Sequence, residues 1–133
     1  MKKKLFLAIA LVSASLAFIG CTPKVNMDDV VKETNKQMPN VIAEGMVVDR
    51  VELDGNYFTY NVITNELYYD VSLIEENYDE VKANILADIR SHNTEDINSF
   101  KKACKSAGYG IAYRYVGSET GITATIRIEP EEF

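Results

Sequence analysis

A strict alternation of apolar and polar side chains in the last third of the chain constrains its fold more than any other feature. Every second residue of 111–115 is Ile or Tyr, and every second residue of 122–128 is Ile or Ala. Thr and Arg occupy most of the positions between them. A period of two is that of a β-strand with one buried face. The two runs, joined by the glycine-containing segment 117–121, therefore predict a hairpin with one apolar and one polar face.

A second hairpin is predicted nearer the middle of the chain. Residues 46–53 and 57–64 are rich in Val, Tyr, Phe and Thr, and Asp-Gly-Asn separates them. Such a tripeptide between two β-rich runs is typical of a hairpin turn. Alternation places Arg50 and Glu52 on one side of the first strand, and Val51 and Leu53 on the other.

The stretch 27–38 predicts the first helix. Asn26 is a favourable N-cap, and Asp28 and Asp29 suit the positive end of the helix dipole. Pro39 cannot continue a helix, so we expect the helix to end just before it.

Two further helices are predicted between the hairpins. Ser72 and Glu75 have the spacing of a capping box, and apolar residues then recur at helical spacing along a long amphipathic segment. Asn93 or Thr94 can cap the next helix, and Gly108 can end it in the left-handed conformation.

The predicted order of elements is α-β-β-α-α-β-β. This order indicates an α+β fold in which helices pack on one face of a four-stranded antiparallel sheet. With 133 residues in total, the chain has room for one ordinary domain, which we assign to residues 26–133.

The N-terminus has the pattern of an export signal. Three lysines at 2–4 precede an apolar run over residues 5–19, which is shorter than the roughly 20 residues that span a bilayer. The run ends in Gly20-Cys21, and this ending resembles the lipobox of bacterial lipoprotein signal peptides, although Phe18 stands where Leu is usual. The resemblance implies that residues 1–20 are removed and that Cys21 carries acyl chains such as palmitate.

The lipoprotein resemblance also implies a location in the cell envelope. Residues 21–25 then form a short tether that holds the domain close to the membrane, with Cys21 as its anchor. In a Gram-negative host, Thr22 replaces the Asp that retains lipoproteins at the inner membrane. We therefore expect the outer membrane, with the domain facing the periplasm.

Charge excludes some partners. Without residues 1–20, which contain three Lys and no acidic residue, the chain has 11 basic and 20 acidic side chains, a formal charge of −9. A nucleic-acid-binding protein needs a basic surface, and anionic lipid headgroups repel an acidic domain. Membrane affinity must then come from the anchor.

Two further stretches resemble those of a loose group of small envelope lipoproteins with no assigned activity. They are the hairpin sequence at 53–60, LDGNYFTY, and the strand sequence at 110–115, GIAYRY. The resemblance implies a similar sheet and no particular reaction.

No catalytic or cofactor motif is evident, and neither a metal site nor a cofactor is predicted. Cys104 shares a helical stripe with Ile97, Phe100 and Ala107, where a buried and therefore unreactive thiol is expected. His92 is the sole histidine, so a zinc site of ordinary composition is not expected. The acidic residues of 68–80 fit no calcium loop and are typical of a solvated helix face.

The polar side of the predicted sheet is the candidate binding face. Arg50, Arg114 and Arg127 fall at outward positions on three strands. The adjacent hydroxyl-bearing residues are Thr59, Thr123 and Thr125. Grouped guanidinium groups can recognise carboxylates, a glycan or another protein. The competing interpretation is that these arginines only solvate the sheet and pair with Glu52 and Glu129.

These observations favour a noncatalytic, lipid-anchored envelope protein that binds a protein or glycan partner near the membrane. One alternative is a small envelope hydrolase that uses the acidic 68–80 region or Cys104. Another is a structural spacer or surface antigen.

Overall fold

The computed structural model describes residues 26–133, which form a five-stranded mixed sheet with four α-helices. The predicted signal peptide, the predicted tether and the predicted lipidation site at Cys21 lie outside this range. The elements are, in chain order, α1 (Met27–Asn35), β1 (Asn40–Ala43), β2 (Met46–Asp54), β3 (Tyr57–Thr64), α2 (Val71–Glu76), α3 (Tyr78–Ser91), α4 (Glu95–Ala107), β4 (Gly110–Gly117), β5 (Thr123–Ile128) and a 3₁₀ turn at Pro130–Glu132. The predicted α+β class is confirmed.

The predicted four-stranded antiparallel sheet is wrong in two respects. The strands lie side by side in the order β1-β2-β3-β4-β5, so an additional strand is present. The pairing of β3 with β4 is parallel, whereas the other three pairings are antiparallel. Both predicted hairpins, β2–β3 and β4–β5, are confirmed.

The parallel pairing follows from the long connection between β3 and β4. Residues 65–109 contain three helices that carry the chain back to the starting end of β3 before β4 begins. Parallel neighbours require such a crossover, usually a helical one. The helix pattern predicted the connection, but it did not predict in which direction the chain re-enters the sheet.

The additional strand β1 is short and lies at the sheet edge. It follows Pro39 directly and pairs with β2 through a turn in which Gly45 has a φ of 83°. A Cβ at Gly45 would lie 2.8 Å from the ring of Tyr68, so this turn requires glycine in both conformation and space. β1 has only four residues, and none of their side chains is fully buried. So short a segment shows too little alternation to predict a strand.

Most of the predicted helix ends are confirmed, but the predicted end of the first helix just before Pro39 is wrong, because α1 ends at Asn35. The Asn26 side chain accepts a hydrogen bond from the backbone N–H of Asp28 at 2.9 Å. The Thr94 hydroxyl accepts one from the Ile97 N–H at 3.3 Å, and Gly108 ends α4 with a φ of 76°. These signals are read correctly because caps depend only on local sequence.

The predicted capping box at Ser72 and Glu75 is wrong. Asp70 is the N-cap of α2, and its carboxylate accepts hydrogen bonds from both the N–H and the hydroxyl of Ser72. The predicted long helix is also divided at Asn77, which ends α2 and precedes α3. The order is therefore α-β-β-β-α-α-α-β-β.

All four helices contribute side chains to one buried cluster against the same face of the sheet. Aromatic residues dominate the centre of this cluster. Tyr60 and Tyr113 stack with ring centroids 5.0 Å apart, and Phe58 meets Phe100 edge to face at 4.9 Å. The opposite face of the sheet, which we call the open face, presents the alternate residues of each strand.

Among residues 26–133, no helix combines the length and the apolar character that crossing a bilayer requires.

Candidate binding face of the sheet

The open face carries two polar rows that run across the strands. In the first, strand register places Arg50 beside Asn61, Asn61 beside Arg114, and Arg114 beside Thr125. In the second, Glu52, Thr59, Ala112 and Arg127 follow one another in the same way. The three predicted arginines therefore lie on one face, as alternation requires, within two neighbouring rows.

Arg114 is the centre of a side-chain network on this face. Its Nη1 donates to Glu52 Oε1 at 2.8 Å and to Asn61 Oδ1 at 2.9 Å, and its Nη2 donates to Asp54. The amide of Asn61 also donates to Glu52 Oε1 at 2.9 Å, which closes the network. The Arg114 side chain is only 24% exposed. Arg114 thus organises the face, with its charge opposed by two carboxylates.

The Glu52 carboxyl is electrostatically tied to this network. The hydrogen bond from Asn61 lowers its pKa most, and burial partly opposes this. The hydrogen bond from Arg114 and the charges of Arg50 and Arg114 lower the pKa further. The charged form of Glu52 is therefore favoured in the folded protein.

We expect acid to destabilise the fold through this carboxyl. Because the pKa of Glu52 is lower in the folded state than its ordinary value of 4.5, its contribution is complete above that value. The contribution is lost as the pH falls below about 4.5 and through the folded-state pKa. Denaturation measured between about pH 6 and pH 3 should show a decline that Glu52→Gln makes shallower.

Glu132 provides a check on that pH dependence. Its pKa is also lowered, first by a hydrogen bond from the backbone of Glu129 and then by Lys82. Glu132→Gln should therefore remove a second, separate part of the decline. A pH profile identical in wild type and Glu52→Gln would contradict the assigned role of Glu52.

The other two arginines are held less firmly. The Arg50 side chain is 57% exposed and lies 3.6 Å from Glu52 and 3.8 Å from Asp49. The guanidinium of Arg127 lies 5.7 Å from the centroid of the Tyr57 ring. These two cations can turn toward a ligand without breaking a buried network.

Tyr57 contacts both Arg127 and Glu129, the residue that follows β5. Its hydroxyl donates to Glu129 Oε2 at 2.5 Å, and this hydrogen bond is the largest of the causes that raise the pKa of Tyr57. The competing interpretation paired the arginines with Glu52 and Glu129. Glu52 does face Arg50 and Arg114, whereas Glu129 is bound by the tyrosine hydroxyl.

The three threonines occupy different environments. Thr59 is almost fully buried on the open face, and its hydroxyl donates to the backbone oxygen of Tyr57. Thr125 is half-buried beside Arg114, and Thr123 is exposed one row farther along β5. Thr59 is thus a structural part of the surface, while the other two are accessible. Asp54, which accepts a hydrogen bond from Arg114, was not predicted as part of this face because the sequence pattern places it in the hairpin turn.

Cys104 is fully buried in the core cluster. Burial raises the pKa of its thiol to about 12 from an ordinary 9.0, which favours the protonated thiol at neutral pH. Neither accessibility nor ionisation favours its use as a nucleophile.

We expect Cys104 to resist alkylation in the folded protein. Iodoacetamide at about pH 8 should leave it unmodified, and guanidinium should make it fully reactive. Peptide mapping by mass spectrometry distinguishes this thiol from Cys21. Rapid alkylation of Cys104 without denaturant would contradict the buried position.

The acidic residues of the 68–80 region occupy separate positions on α2 and α3 and in the loop before them. Asp70 caps α2, while Glu75 and Glu76 are exposed on that helix. Within residues 26–133, no cluster of three or more His, Cys, Asp or Glu is arranged to hold a metal ion. His92 follows α3, and its Nδ1 lies 2.7 Å from the backbone oxygen of Asp88.

Comparison with known proteins adds a fold relationship. No protein-family model matches the chain, and no curated protein sequence matches it at a significant level. A solved structure from Pseudomonas aeruginosa, provisionally described as that of a secreted protein, is similar with a TM-score of 0.63. The alignment covers 80% of this chain and 88% of that one, at 19% sequence identity. This likeness shows a shared fold.

Proposed function

We propose that this protein is a noncatalytic, lipid-anchored envelope protein that binds a protein or glycan partner through the open face. The observation that supports the proposal is a sheet of five strands in which all four helices of residues 26–133 join one buried cluster, so that none of these helices covers the opposite face. On that face, Arg114 is fixed by its neighbours, and Arg50 and Arg127 are exposed beside it. A rigid centre with adjustable cations suits recognition rather than turnover.

The envelope location is supported by the N-terminal sequence. Lys2–Lys4, the apolar run and Gly20-Cys21 resemble a lipoprotein signal. The fold neighbour described as secreted is in keeping with export. An acylated Cys21 lies five residues before Asn26, so the domain stays within about 20 Å of its anchor point. Outer-membrane sorting in a Gram-negative host is part of the proposal.

Mass spectrometry of the protein purified from its native membrane tests the anchor. The expected species begins at Cys21 and carries two or three acyl chains. An intact leader, or an unmodified Cys21 at the mature N-terminus, would overturn the lipid-anchored part of the proposal.

Site-specific photocrosslinking in intact cells tests the binding face. A photoreactive residue at Thr125, on the open face, should give a discrete adduct with a protein or glycan. The same residue at the exposed Ala87 on α3 is the matched control and should give none. Equal crosslinking at both positions, or none at either, would contradict a role for this face.

A further inference from the structure

Four aliphatic side chains on β1–β4, continued by Thr123 on β5, form a row across one end of the open face. Strand register places Val41 beside Val47, Val47 beside Ile63, Ile63 beside Val116, and Val116 beside Thr123. Val41 is 70% exposed, Thr123 is exposed, and the three residues between them are half-buried. We call these five residues the apolar row. No charged side chain interrupts it.

The loops at the same end of the sheet add more apolar surface. β3 and β4 finish there, and β2 and β5 begin there. Leu67 and Tyr68 follow β3, and Ile122 immediately precedes β5. Together with Val41, these are all the exposed large hydrophobic residues of the chain between residues 26 and 133. We call the apolar row and these three residues the apolar end. Grouped exposure of this kind marks interaction sites.

The loops of the apolar end are held by specific hydrogen bonds. Glu66 Oε1 accepts from the backbone N–H groups of Glu119 and Thr120, both at 2.7 Å, and the Thr120 hydroxyl donates to Glu66 Oε2. The Tyr69 hydroxyl donates to the backbone oxygen of Glu44 at 2.6 Å. These bonds join the three loops to one another, so little ordering entropy remains to be lost on binding.

The three segments that form the apolar end carry charge of a single sign, and Arg50 and Arg114 lie in the polar row beside it. These segments, 40–49, 63–72 and 116–125, contain no Lys or Arg. Their acidic residues are Glu44, Asp49, Glu66, Asp70 and Glu119. Such a surface repels anionic lipid headgroups and also repels a second copy of itself. It complements a surface that presents apolar side chains together with cations.

We propose that the apolar end binds a basic amphipathic segment of a partner protein, in which aliphatic side chains alternate with Lys or Arg. The aliphatic side chains contact the apolar row, and the flanking cations face Glu44 and Glu119. This inference rests on the proposed partner-binding function and names the partner class and the part of the open face that it contacts.

A fluorescent peptide of alternating Leu and Lys is a direct probe. The full-length protein in phosphatidylcholine nanodiscs should bind it, with empty nanodiscs subtracted, and fluorescence anisotropy measures the affinity. Ile63→Thr with Val116→Thr should weaken binding at least about tenfold, because the threonines keep the strand geometry and remove apolar contact. Peptides of alternating Leu and Glu, or Ser and Lys, should not bind.

Charge is tested with matched variants. Glu44→Gln with Glu119→Gln should weaken binding of the Leu-Lys peptide and reduce its salt dependence. Glu80→Gln with Glu131→Gln removes the same charge from exposed positions on α3 and beyond the far end of β5, and should leave binding unchanged.

Four outcomes would overturn the inference. They are the absence of Leu-Lys binding, binding that the Ile63 and Val116 changes do not affect, self-association through this end, and binding of lipid vesicles that depends on it. Crosslinking at Thr125 is a separate measurement. If it succeeds while the peptide fails to bind, the inference is wrong and the proposed function still stands.

Discussion

Replacing Gly110 by Ala should destabilise the protein by about 3 kcal/mol, a large effect for the addition of one methyl group. A Cβ at this buried position would lie 2.3 Å from the backbone oxygen of Ile128 and 2.9 Å from carbons of the Tyr57 ring. A backbone oxygen in a paired strand cannot move as a flexible side chain can, so the β4–β5 pairing must distort. Urea denaturation followed by circular dichroism measures the loss.

Gly108→Ala is the matched control for that substitution. Gly108 has a φ of 76°, but a Cβ there meets nothing within 4 Å. The expected loss of stability is therefore only the cost of placing alanine in the left-handed conformation, about 1 kcal/mol. If the two variants lost equal stability, the proposed steric conflict at Gly110 would be wrong.

Replacing Arg114 by Met should cost about 2–3 kcal/mol, since it leaves two carboxylates and an amide oxygen without their shared donor. Met retains much of the apolar stem, so the effect isolates the guanidinium. Because the Arg114 side chain is partly buried, the expected loss is larger than that for a surface ion pair and smaller than that for a fully buried ion pair. Chemical denaturation at neutral pH is the measurement.

Arg50→Met provides the comparison on the same face. Its pairs with Asp49 and Glu52 are long and exposed, so the expected loss is below about 0.5 kcal/mol. Glu52→Gln introduced into Arg114→Met should recover part of the lost stability, because one unpaired charge is removed. Equal losses for the two arginine variants would mean that the Arg114 network contributes no more than solvated pairs.

Local signals predicted much of the secondary structure. Caps such as Asn26 and Thr94 and the stop at Gly108 depend on residues within one helical turn, and each is found where predicted. The wrongly predicted N-cap of α2 shows the limit of such local signals. Asp70 and Ser72 are both good N-caps, and only the path of the chain leaving β3 decided between them.

The candidate site could be predicted only in part. Period-two alternation was sufficient to place Arg50, Arg114 and Arg127 on the polar face. It could not predict that Arg114 is bound by Glu52, Asn61 and Asp54, because these residues lie on other strands. The accessible cations on this face are consequently Arg50 and Arg127.

The sequence by itself determined the α+β class, both hairpins and the common face of Arg50, Arg114 and Arg127, because these properties follow from local conformation and side-chain period. Only the tertiary structure decided the parallel β3–β4 pairing, the edge strand β1 and the alignment of Val41, Val47, Ile63 and Val116 in one row. Register between strands separated by three helices depends on how the whole core packs. No local pattern contains that information.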